Sequence, residues 1–198
     1  MNAKSKPPSK PNDSSEPPQS HLIIPPIDIS EILGFLDLLR TKDHGKEDIY
    51  KLANELKMEF GDTLGVVRAA ELLNLVHTPG GDVVLLPLGE KVTKSRISQK
   101  KEIITEQISK LPIMEKLTAF LNAQEDHEAS RDEVLDKLAE VLPNEDAEET
   151  FSNLLQWGRY AELFGYNDDD HIFYLDEEED TDPPMSSQSS SSESRDSN

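Results

Sequence analysis

Gln156-Trp157-Gly158-Arg159-Tyr160-Ala161-Glu162-Leu163-Phe164-Gly165-Tyr166 contains the only tryptophan of the chain and four aromatic residues in all. Trp157 and Tyr160 stand at helical spacing, i and i+3, whereas Phe164 and Tyr166 alternate as residues of a strand do. The stretch therefore reads as a helix-to-strand junction. Two roles are open to its side chains. The rings can seal a core between a last helix and a hairpin, or Trp157, Arg159, Tyr160, Glu162, Phe164 and Tyr166 can stay partly exposed and anchor a partner, since Trp, Tyr and Arg dominate interface energetics. Arg159 and Glu162 can pair with each other or face that partner.

Upstream of the junction, Asn144 is a candidate cap for a helix whose buried stripe is Ala147, Phe151, Leu154, Leu155 and Gly158. Before it, Ser130 and Glu133 form a capping box ahead of Val134, Leu135, Leu138, Val141 and Leu142, and Pro143 stops that helix. Ile113 to Asn122 carries Ile113, Leu117, Phe120 and Leu121 at helical spacing. Downstream, Tyr160 to Tyr166 and His171 to Leu175 flank an Asn167-Asp168-Asp169-Asp170 turn. The order is helix, helix, helix, hairpin, which is that of a winged helix.

The same order precedes it. Ile29, Ile32, Leu33, Leu36 and Leu39 make one stripe over residues 29–42, with Asp28 and Glu31 as a capping box. Lys46 to Lys57 turns Ile49, Leu52, Ala53 and Leu56 inward, and Thr63 to Leu73 follows an Asp62 cap. The period then changes. Leu75-Val76-His77-Thr78 and Val83-Val84-Leu85-Leu86 are strands around a Pro79-Gly80-Gly81-Asp82 turn, where glycine supplies positive φ. A single helix from about Leu88 to Leu111 is expected to join the two units. The predicted architecture is mainly α with small β-hairpins (α+β), as tandem winged-helix-like modules at 27–90 and 113–175 joined by a connecting helix at 91–112.

These residues carry a resemblance. Ile32-Leu33-Gly34-Phe35-Leu36-Asp37-Leu38-Leu39, Gly45-Lys46-Glu47-Asp48-Ile49-Tyr50-Lys51-Leu52-Ala53, Ala69-Ala70-Glu71-Leu72-Leu73 and the tryptophan junction together resemble the AAA-associated C-terminal domain. That domain is the extension found after the ATPase subunit of ABC importers of the nitrate, sulfonate and bicarbonate type. The resemblance covers about residues 27–175 and implies a regulatory or interaction role beside an ATPase. The ATPase itself is not in this sequence. The phosphate-cradling G-x-x-x-x-G-K-[ST] is absent: Gly80-Gly81 is followed by Asp82, Gly89-Glu90-Lys91 places a carboxylate where phosphate would sit, and both glycine sites read as turns.

Charge narrows the choice of partner. Forty acidic and 20 basic residues give a net charge of -20, which repels phosphate backbones and anionic membranes. A winged helix that reads DNA puts its third helix into the major groove. Here those helices set Arg68 against Glu71, and Arg159 against Glu145, Asp146, Glu148 and Glu149. Nucleic acid is therefore disfavoured, and a winged-helix transcription regulator is the alternative reading. Lys91, Lys94, Arg96, Lys100 and Lys101 form one basic strip. It is either the solvated face of the connecting helix or a docking strip for an acidic partner or for the chain's own acidic tail.

No catalytic or metal motif appears. The chain has no cysteine, no G-x-S-x-G elbow, and five scattered histidines (His21, His44, His77, His127, His171) without H-E-x-x-H spacing. Asp168-Asp169-Asp170 lacks the alternating ligands and glycine of a calcium loop. A non-enzyme without cofactors is expected, acting through a protein partner: a separate ABC transporter ATPase subunit or a second copy of itself. Residues 1–26, rich in Pro, Ser and Lys, and 176–198, acidic and then Ser-rich, are expected to be disordered. The start runs into prolines and no apolar run approaches the ~20 residues of a membrane span, so a cytoplasmic protein without membrane insertion is expected.

Overall fold

The computed structural model describes residues 23–175, so the expectations for residues 1–22 and 176–198 lie outside the described residues. The first unit comprises α1 (Ile29–Arg40), β1 (Lys46–Asp48), α2 (Ile49–Leu56), α3 (Phe60–Leu72), β2 (Val76–His77) and β3 (Asp82–Leu85). Next come α4 (Pro87–Lys94) and α5 (Ile97–Ser109). The second unit comprises α6 (Pro112–Asn122), β4 (Glu128–Ser130), α7 (Arg131–Val141), α8 (Ala147–Tyr160), β5 (Phe164–Asn167) and β6 (Ile172–Leu175). The protein is mainly helical with small antiparallel sheets, as expected.

Each unit has a three-stranded sheet, in the order β1-β3-β2 and β4-β6-β5. Equivalent pairs are in register at Lys46 with Val84 and at Glu128 with Tyr174. The repeat reaches down to the backbone. After α3, Asn74 takes φ 56° and Leu75 N–H donates to Ala70 O; after α8, Glu162 takes φ 55° and Leu163 N–H donates to Gly158 O. Left-handed pairs also precede both edge strands, His44-Gly45 and Asp126-His127. Asparagine and glycine suit that conformation better than glutamate or histidine, so the repeated geometry is not matched by repeated residues.

Two features depart from the expected architecture. Strands β1 and β4 were not foreseen, because Lys46-Glu47-Asp48 and Glu128-Ala129-Ser130 have no strand-like apolar alternation; each is ordered by pairing with the second strand of its hairpin. Asp48 then closes β1 and opens α2, its carboxylate accepting from Tyr50 N–H at 2.9 Å and Lys51 N–H at 3.2 Å. The connecting helix at 91–112 is two helices, broken at Ser95-Arg96. The Ser95 hydroxyl donates to Lys91 O at 2.8 Å while Ser95 itself is extended, an instance of a serine drawing backbone groups away from the helix ladder. The connector begins at Pro87, which suits a first helical position because it has no N–H to satisfy.

Caps were partly legible. The Ser130/Glu133 box forms as read, with Ser130 N–H donating to Glu133 Oε2 at 2.8 Å. Asp146, and not Asn144, caps α8. Helix α3 starts at Phe60, ahead of Asp62, and Asp28 leaves α1 uncapped.

The buried apolar side chains form one continuous core through both units. Ile32, Phe35, Leu36 and Leu39 supply the first; Ile104 and Ile108 of α5 bridge; Leu121, Val134, Leu154, Trp157, Phe164 and Phe173 supply the second. Residues 23–26, expected to belong to the disordered arm, are instead packed at their end, with Ile24 only 2% exposed.

Candidate functional site

The aromatic junction was the first candidate, and the structure turns most of it inward. Trp157 and Phe164 are fully buried, which corrects the interface reading for these two. The indole N–H of Trp157 donates to Ile27 O at 2.9 Å, and Asn153 Nδ2, one helical turn earlier, donates to Ile24 O at 3.2 Å. Gly158 faces the Phe164 ring so closely that a methyl group there would stand 2.5 Å from it. That approach is why α8 carries a glycine in its last turn.

The polar members of the junction are exposed but engaged within the chain. Arg159 Nη2 donates to Tyr166 O at 2.9 Å and lies 3.7 Å from Asp168, so it fastens the β5–β6 hairpin and does not pair with Glu162. Glu162 pairs with Lys101 of α5. Tyr166 is half-buried edge-on against Phe151, its hydroxyl 3.0 Å from His171 Nδ1. Burial pushes the Tyr160 phenol above its ordinary range, partly opposed by Lys101.

The five cations from 91 to 101 are not one strip, because the break at Ser95 separates them. Lys94 pairs with Glu90 on its own helix. Lys100 reaches Asp37 of α1 at 3.5 Å, and Lys101 reaches Glu162. Those last two bonds tie α5 to α1 of the first unit and to the α8–β5 turn of the second; with Lys94 also paired, Lys91 and Arg96 are left without an ion pair among the described residues. The acidic tail proposed to dock here lies outside the described residues.

Two surface features escaped the sequence reading. A groove of about 900 Å³ runs between the arm at Pro25 and Pro26, α3 at Arg68 and Glu71, and the α5–α6 turn at Lys110 and Leu111. No sequence signal could have announced it, since it exists only where three distant segments meet. The second is an aromatic pair: Tyr50 of α2 and Phe60 of α3 stack at 4.4 Å between centroids and 11° between planes, 62% and 40% exposed. Tyr50 had a signal, because it falls off the Ile49, Leu52, Ala53, Leu56 stripe and so has to point outward. Among the described residues, no group of three His, Cys, Asp or Glu is placed to hold a metal ion. Nor is any described helix long and apolar enough to cross a membrane.

A duplicated α+β unit, sealed by a tryptophan against an N-terminal arm, is thus the class to which the chain belongs by construction. Residues 50–167 match the family described as the C-terminal AAA-associated domain, and the chain belongs to that family. No curated protein and no solved structure matches it.

Proposed function

We propose that this chain is a non-catalytic regulatory or protein-interaction module built from two winged-helix-like units. In this reading it works in the cytoplasm without a cofactor, through contacts with a separately produced ABC importer ATPase subunit or with a second copy of itself. Family membership supports the association with an ATPase.

The observation that carries the protein-binding reading is the N-terminus of α8. In a DNA-reading winged helix this end approaches the base edges and phosphates. Here the Asp146 carboxylate occupies it, accepting from the Glu148 and Glu149 N–H groups at 2.9 and 3.0 Å, and Glu148 and Glu149 are themselves exposed. Arg131 of α7 is already paired with Glu148. Phosphate contacts supply a large share of protein–DNA affinity, and this end offers repulsion in their place. In α3 the only cation is Arg68, between Asp62 and Glu71. The transcription-regulator alternative drew on the basic strip, three of whose lysines are committed to pairs within the chain.

Fluorescence anisotropy with a labelled duplex tests this. The expected result is no binding at about 50 mM salt, where phosphate contacts are strongest. Tight binding that falls steeply as salt rises would sink the proposal. A tagged chain retaining an importer ATPase subunit that lacks its own C-terminal extension is the positive counterpart.

A further inference from the structure

We propose that the Tyr50–Phe60 face is the surface through which two copies of this chain meet, an inference that rests on the protein-interaction reading above. Aromatic side chains are normally spent on cores. This fold instead holds two of them against each other on the outside, Tyr50 62% and Phe60 40% exposed, with planes only 11° apart. Met58, between the two helices in the chain, is half-buried against the core. A flat, pre-stacked apolar surface loses little side-chain entropy on association, which is the property that makes aromatics good interface anchors.

Between two copies, charge selects the unit that meets. Residues 112–175 hold 4 Lys and Arg against 16 Asp and Glu, whereas the first unit, residues 23–86, holds 6 against 11. Two copies meeting through their second units would oppose net charges of -12 each. Meeting through the first units opposes net charges of -5 each and leaves the more acidic units outside the contact, where separation beyond about one Debye length screens them. The aromatic pair lies on the less acidic unit.

The rim of the patch also complements itself. Lys57, in the left-handed position that ends α2, and Glu59 and Asp62, at the start of α3, are all exposed next to Phe60 in the chain. None of the three makes an ion pair among the described residues. A two-fold contact applies the same patch on both sides, so Lys57 of each copy can face Glu59 and Asp62 of the other around an apolar centre. A basic partner would leave Lys57 opposed by like charge, and an acidic one would leave Glu59 and Asp62 so.

The test is sedimentation of the full chain over a range from about 1 µM to about 500 µM, since a homodimer is governed by mass action. Mass rising from monomer toward dimer is expected. The Tyr50→Ser/Phe60→Ser double variant is expected to weaken association at least about tenfold, with circular dichroism unchanged because both rings are outside the core. Lys57→Glu alone is expected to weaken it, and mixing Lys57→Glu chains with Glu59→Lys chains to restore it in the mixture. Monomer mass at every concentration, or a dimer indifferent to the aromatic double variant, overturns the inference. Either result leaves the duplex-binding test to decide the proposed function separately.

Discussion

The indole N–H of Trp157 donates to the backbone carbonyl of Ile27, 130 positions earlier in the chain, at 2.9 Å. This bond joins the end of the second unit to the arm that enters the first. Beside it, Ile27 also packs over Gly65 of α3, where a methyl group would stand 3.2 Å from its side chain. One isoleucine therefore touches both units, and the tryptophan holds it there.

Replacing Trp157 with Ala is expected to cost about 3 to 5 kcal/mol in urea unfolding, the range for truncating a large buried aromatic side chain. Trp157→Phe keeps most of the ring and leaves Ile27 O unpaired, for a smaller loss of about 1 to 3 kcal/mol. If both variants unfold like the parent, the seam is not structural.

Removing residues 1–27 deletes Ile24 and Ile27 and both carbonyl acceptors. Each buried isoleucine contributes about 1.5 to 3 kcal/mol. A lower denaturant midpoint is expected, together with faster hydrogen exchange in α8. An unchanged midpoint would mean that the arm merely rests on the surface.

Gly89 of α4 and Gly34 of α1 are expected to respond to alanine in opposite directions. A methyl group on Gly89 would stand 2.2 Å from the Leu75 carbonyl oxygen, which is backbone and cannot swing aside. Gly89→Ala should lose about 1 to 3 kcal/mol. Around Gly34 nothing lies within 4 Å, so Gly34→Ala should gain up to about 1 kcal/mol from helix propensity. Thermal midpoints of the two variants check both signs.

Acid should weaken the fold through the caps. The Ser130 hydroxyl and the Ser130 backbone N–H, in that order, hold the Glu133 carboxyl below its ordinary range, and the Lys110 ammonium does the same to Glu106. A carboxyl lowered in the folded state stabilises above its unfolded value, and that stabilisation is lost as pH falls through the folded value. Glu133→Gln is therefore expected to be less stable than the parent near neutrality and to match it in acid. Thermal midpoints from about pH 6 down to about pH 2 would show the gap closing. A gap that persists in acid would assign the loss to geometry.

Much of the fold was legible from short-range physics. The stripes Ile32-Leu36-Leu39 and Phe151-Leu154-Gly158 predicted helices because burial recurs with the helical turn. The Ser130/Glu133 box and the Asn167-to-Asp170 turn were readable because their hydrogen bonds close within three residues. Strands β1 and β4 were not, since a three-residue polar strand is stabilised only by the neighbour it pairs with. The break at Ser95 was missed because a serine inside a helical pattern is ordinarily tolerated, and its hydroxyl's choice of Lys91 O is not written in the pattern.

Sequence alone determined the class of this protein: the alternation of apolar periods, the excess of carboxylates and the tryptophan junction that matches its family. Tertiary structure decided which of the selected residues face solvent. Trp157 turned inward because an arm 130 positions away supplies the acceptor for its N–H. Lys100 and Lys101 became internal ties because Asp37 and Glu162 arrive beside them. Tyr50 and Phe60 became a surface because α2 and α3 stack the two rings where no other element among the described residues covers them. Each outcome depends on a partner distant in the chain or absent from it, and local periodicity carries no information about such partners.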